Sequence, residues 1–189
     1  MKMKTVLWLA LVAVAGCGST AGREPDEYTG CGTDETWRTF QDQEPTAMVS
    51  DAMAPLVTTP AAGASVSASS QLVVKWQQDP NDVGAPDGDV PYNGPACTAC
   101  CPEFNTGSLT TLHLPPISGS AYDLQFTVDG KVAWRVITTL QEWGAPPAPL
   151  ASWKGKTVTL KIWRMAVLRN DVKDGPYLAT APFSFSVTP

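Results

Sequence analysis

Residues 122–136 read YDLQFTVDGKVAWRV, and this stretch decides the fold class. Tyr122, Leu124, Phe126 and Val128 alternate with Asp123, Gln125 and Thr127, the period of a strand with one apolar face. Val132, Trp134 and Val136 alternate again after Asp129-Gly130. Asp-Gly between two alternating runs predicts a two-residue hairpin turn, because both turn positions then require positive φ. Outward from the hairpin the same period returns. Val158, Leu160 and Ile162 alternate with Thr157, Thr159 and Lys161, and Phe183, Phe185 and Val187 with Ser184 and Ser186. Upstream, Leu72, Val74 and Trp76 alternate with Val73 and Lys75. Trp163 falls out of phase with Leu160 and Ile162, which places it outward or over the sheet. Residues 141–156 form a proline-rich connection, and Asn170 to Pro176 reads as a polar turn. Short strands of this spacing predict an all-β chain of two antiparallel sheets packed face to face.

The 17 prolines and 15 glycines interrupt the chain too often for long helices. Residues 79–106 break the β pattern with prolines, Asp, Asn and Gly, forming a long insertion between the Trp76 and Tyr122 strands. Residues 17–54 are acidic and poor in apolar side chains, the composition of a spacer that buries too little surface to fold alone. Trp37, Phe40 and Cys31 are the exceptions. They pin the spacer to the folded domain, or belong to a short helix from Thr33 to Gln43. In that helix Thr33 is the N-cap, with Asp34 and Glu35 in the first turn.

The N-terminus carries an address. Lys2 and Lys4 precede an apolar run from Val6 to Ala15, too short for a permanent span. Val14-Ala15-Gly16-Cys17 follows, and it resembles the lipobox of bacterial lipoproteins. The resemblance implies that residues 1–16 are a signal peptide cut before Cys17, which is then acylated, so that the membrane is a partner through lipid. With Gly18 and Ser19 next, it implies the outer membrane of a cell envelope. Loss of Lys2 and Lys4 takes the formal net charge from −5 to about −7, which excludes nucleic acid as a partner and argues against charge-driven binding to anionic lipid. Residues 55–189 resemble the immunoglobulin-like and fibronectin-type-III-like modules of bacterial envelope proteins. The likeness is carried by Pro60, Gly63, the strand Leu72–Trp76 with its core tryptophan, and the strands at 122–128, 157–162 and 183–187. The insertion at 79–106 departs from that family's pattern. Signal, acidic spacer and β-module together look like lipoproteins of myxobacteria and their relatives, a likeness that implies no particular activity.

The remaining side chains favour binding or structure over catalysis. Cys31, Cys97, Cys100 and Cys101 remain after Cys17 is lipidated, and four cysteines in an oxidising compartment predict two disulfides. Bonding adjacent Cys100 to Cys101 is disfavoured by geometry. That leaves Cys31 with Cys100 or Cys101 and Cys97 with the other, a staple of spacer to insertion. Cys97-Thr98-Ala99-Cys100 is a CxxC, but no helical period follows to depress a thiol pKa. Zinc, with His113 as a ligand, ordinarily takes two separated pairs. Asp82, Asp87 and Asp89 are the insertion's binding candidates. Their oxygen chemistry suits calcium, yet the run lacks the EF-hand ligand order and reads as turn-forming. No cofactor is expected. His113 is the sole histidine and no GxSxG or HExxH is present, so no enzyme is expected. Trp143 and Trp153 lie in the proline-rich connection. If exposed they suit sugar rings or a protein pocket, and if buried they close an edge of the sandwich. The partner expected beyond the membrane is an envelope protein or a polysaccharide, met first through the insertion because long loops on rigid sandwiches carry function.

Overall fold

The computed structural model describes residues 23–77 and 117–189. The elements in chain order are β1 (Glu27–Thr29), α1 (Asp34–Gln43), a short 3-10 turn, β2 (Met48–Val49), β3 (Leu56–Thr59), β4 (Ser65–Ser67) and β5 (Val73–Gln77). They continue with β6 (Ser118–Val128), β7 (Lys131–Thr138), β8 (Glu142–Gly144), α2 (Pro147–Ser152), β9 (Thr157–Leu168), β10 (Asp171–Leu178) and β11 (Phe183–Thr188).

The chain is mostly β. The predicted hairpin is β6–β7, closed by Asp129 at φ 50° and Gly130 at φ 76°. Phe126 stands opposite Trp134 and Tyr122 opposite Thr138, with one register shift between Phe126 and Thr127. On its other edge β6 pairs antiparallel with β9 from Val158 to Leu168, Leu124 facing Ile162. The far edge of β9 is shared: β11 pairs with its first half and β10 with its second. The short strands β1, β2 and β4 add parallel pairings to β7, β10 and β11. The large sheet is therefore mixed, where two purely antiparallel sheets were expected. The second sheet is antiparallel, in the order β3–β5–β8.

The main core lies between the two sheets. Leu72, Val74 and Trp76 face Tyr122, Leu124, Phe126, Val158 and Leu160, with Leu150 of α2 filling one end. The Trp76 and Tyr122 rings meet edge-on, centroids 5.3 Å apart. A second core sits on the opposite face of the large sheet. There Trp37 and Phe40 of α1 cover Ala121, Ile137, Trp163, Met165 and Val167. The out-of-phase Trp163 is explained by this layer. Along β9 the apolar residues occupy one face as Val158, Leu160 and Ile162, then the other as Trp163, Met165 and Val167.

Two expectations need correcting. The segment expected as a spacer up to residue 54 is part of the domain from Asp26 onward, since β1 and β2 join sheet edges and α1 builds the second core. The helix itself is as predicted, with Thr33 as N-cap and a reciprocal bond to Thr36. The apolar residues of this stretch are few, but both large ones of the helix are spent on one face. Of the run expected as a turn from Asn170 to Pro176, Asp171 onward is strand β10, and only Arg169-Asn170 turn, at φ 52° and 66°. Register shifts on either side of Asp174 let Gly175-Pro176 ride in the strand.

Candidate functional site

The α1 helix covers only part of its sheet face. Beyond it, Thr127 of β6 stands opposite Thr159 of β9, and Gln125 opposite Lys161. Alternation puts these polar side chains on the face away from the main core, in rows about 4.8 Å apart. The bare face forms a groove of about 670 Å³ lined by Gln125, Thr127, Asp129, Lys156, Thr159 and Lys161 among others. Lys156 Nζ bonds Asp129 Oδ2 at 2.9 Å across its end, and the Lys161 ammonium lies 6.0 Å from the Trp163 ring.

Behind Gln125, at the junction of groove and helix, lies a buried ion pair. Arg135 is 1% and Asp123 2% exposed. Arg135 Nε donates to Asp123 Oδ1 at 2.9 Å and Nη2 donates to Asp123 Oδ2, a two-pronged pairing. With the Gln125 amide oxygen turned toward the guanidinium, it accepts from Nη2 at 2.9 Å and Nη1 at 3.1 Å. Glu44 Oε2 lies 3.6 Å from Nη2. Trp37 forms the roof, its ring centroid 4.0 Å from the guanidinium carbon. Burial pushes the Asp123 carboxyl up to about 6, against the opposing pull of Arg135.

The chain's N-terminal segment seals the pair. Asp26 Oδ2 accepts from the Arg135 backbone N–H at 2.9 Å. Asp26 also pairs with Arg23, whose Nη1 donates to the carbonyls of Val132 and Ala133 at 2.9 and 3.1 Å. Chemically the cluster is a lock: the carboxylate, amide and backbone oxygens around Arg135 are directed at it rather than into the groove. The groove offers hydroxyl donors and ammonium groups, which suit a hydroxylated or anionic ligand. A second buried arginine, Arg164, lies 4.0 Å from Asp174 toward the other end of β9.

The sequence-predicted site residues fare unevenly. Trp143 and Trp153 are each 2% exposed, so neither presents a ring for sugar stacking. Both pack on Phe126, at centroid separations of 4.7 and 5.4 Å, and Trp143 Nε1 donates to Glu27 Oε2 at 3.0 Å. Their apolar area closes the main core. Cys31 is buried, and its backbone N–H donates to Thr139 Oγ1 at 2.8 Å. Cys17, Cys97, Cys100, Cys101, Asp82, Asp87, Asp89 and His113 lie outside the described residues. Among the described residues no group of three or more His, Cys, Asp or Glu is arranged to hold a metal. Asp123, Gln125 and Arg135 were not singled out from sequence, where Asp123 and Gln125 read only as polar positions alternating with the hairpin's apolar face. Their one signal was an Asp and an Arg in matching phase on paired strands.

No family model, curated protein or solved structure matches the chain.

Proposed function

We propose that the chain is a lipid-anchored cell-envelope lipoprotein that acts as a non-catalytic binding or structural module. The observation that carries this reading is Val14-Ala15-Gly16-Cys17 after a charged and apolar leader, a layout that signals export and acylation. The fold is compatible with it. Only residues 18–22 separate Cys17 from Arg23, which is already bonded to the sheet, so the lipid would hold the body by a short tether. The two-sheet core supports kinship with immunoglobulin-like modules, in a version whose outer face carries a helix. Cys31, two residues past β1 and bonded through its backbone N–H to Thr139, would staple this segment to Cys100 or Cys101. The outer membrane is the proposed address.

Fatty-acid labelling of the expressed full chain tests the reading. The chain is expected to take label and sediment with membranes, and Cys17→Ala to lose both. Label retained by Cys17→Ala would refute the proposal.

A further inference from the structure

The net charge of −5 conceals how the fold distributes its charges. Lys131 follows the β6–β7 turn. Lys154 and Lys156 lie in the connection into β9, and Lys161 lies on the groove floor. All four are exposed. Arg23 is clamped to Val132 and Ala133 at the same end. The nearby carboxylates Asp26 and Asp129 are engaged, by Arg23 and Lys156. Among the described residues no carboxylate lies within ion-pair reach of Lys131, Lys154 or Lys161. Asp171 and Asp174 lie at the opposite end of β9.

Chain length decides what meets this cationic end. Six residue steps run from Cys17 to Arg23, a reach of at most about 20 Å. The twelve residues of β9 alone span about 40 Å. A body longer than its tether, held at one end, must keep that end near the anchor.

We propose that the end formed by the β6–β7 turn, the Gly155-Lys156 turn and the adjoining groove rests on an anionic lipid surface. Lys131, Lys154, Lys156 and Lys161 meet phosphate headgroups there, and Thr127, Thr157 and Thr159 are available to donate to phosphate and glycerol oxygens. The proposal rests on the lipid-anchor reading above. Lysines within a Debye length of an anionic leaflet are attracted to it, and salt screens the attraction.

The test uses the full lipidated protein. It is reconstituted into vesicles of phosphatidylcholine alone or of phosphatidylcholine with phosphatidylglycerol. Exposed amines are then acylated, and labelling at each lysine is read by mass spectrometry. The expected result is severalfold lower labelling of Lys131, Lys154, Lys156 and Lys161 on the anionic vesicles, reversed by high salt, with Lys75 and Lys173 unchanged. The double variant Lys131→Glu with Lys161→Glu, at two exposed sites, is expected to remove the protection of Lys154 and Lys156. Equal labelling on both vesicle types overturns the proposal while leaving the anchor intact. Protection by a soluble anionic polysaccharide but not by anionic vesicles overturns it in favour of a glycan ligand. The mass of the Cys17 peptide separates the two readings, since an unacylated Cys17 removes the anchor and this inference with it.

Discussion

At Asp123, burial and charge pull in opposite directions. The carboxyl is raised to about 6 by desolvation, and Arg135 opposes the rise. Arg135→Ala leaves that carboxylate buried without its counter-ion, and the expected cost in urea unfolding is about 3–5 kcal/mol. Replacing the pair together, as Asp123→Leu with Arg135→Met, is expected to recover most of the loss, because no unpaired charge then remains. The pH dependence has a definite sign. A carboxyl raised on folding contributes stability that is full below its unfolded value and is lost as pH rises through the folded one. For Asp123 that window runs from 3.8 to about 6. The stability of the native chain relative to Asp123→Asn is therefore expected to be greatest near the acid end, shrink across the window and level off above it. A relative stability that grows with pH over this window would contradict the assignment.

Elements differ in how far their sequence reveals them. The β6–β7 hairpin was legible because Asp129-Gly130 supplies both positive φ values, and α1 because Thr33 caps a run with acids in its first turn. Strand β10 was not, because Asp174-Gly175-Pro176 carries the marks of a turn while register shifts accommodate it in a ladder. Two glycines separate these cases by experiment. At Gly130 an added Cβ meets nothing within 4 Å, so Gly130→Ala is expected to cost about 1 kcal/mol, from positive φ alone. At Gly175 the Cβ would lie 2.7 Å from the Arg164 carbonyl oxygen and 3.2 Å from the Met165 Cα. Gly175→Ala is thus expected to cost clearly more than Gly130→Ala, up to about 3 kcal/mol, as read from guanidinium midpoints. The edge strands β1, β2 and β4 escaped the sequence for a different reason. At two or three residues each, they are too short to show a period, and distant partners define them.

On the scale of the whole molecule, composition misjudged the acidic N-terminal stretch. Sparse apolar residues suggest a spacer, but one helical face with Trp37 and Phe40 suffices to cover part of a sheet whose partners lie about a hundred residues away. The same blindness hid the buried pair, since alternation shows which residues share a face and not what covers that face. A chain beginning at Pro55 is expected to lose cooperative unfolding and to bind a hydrophobic dye, because Ile137, Trp163 and Met165 would be uncovered. A cooperative transition in that truncation, with no dye bound, would return the segment to a spacer. The parallel edges carry a further consequence. Glu27 pairs with Val136, Met48 with Tyr177 and Ser65 with Ser186. Each N-terminal strand waits for a partner made much later, and the loop-closure entropy of such distant pairings slows folding. During synthesis β1 gains its partner when β7 emerges, β2 when β10 does and β4 only with β11, so the large sheet is completed at the very end of the chain.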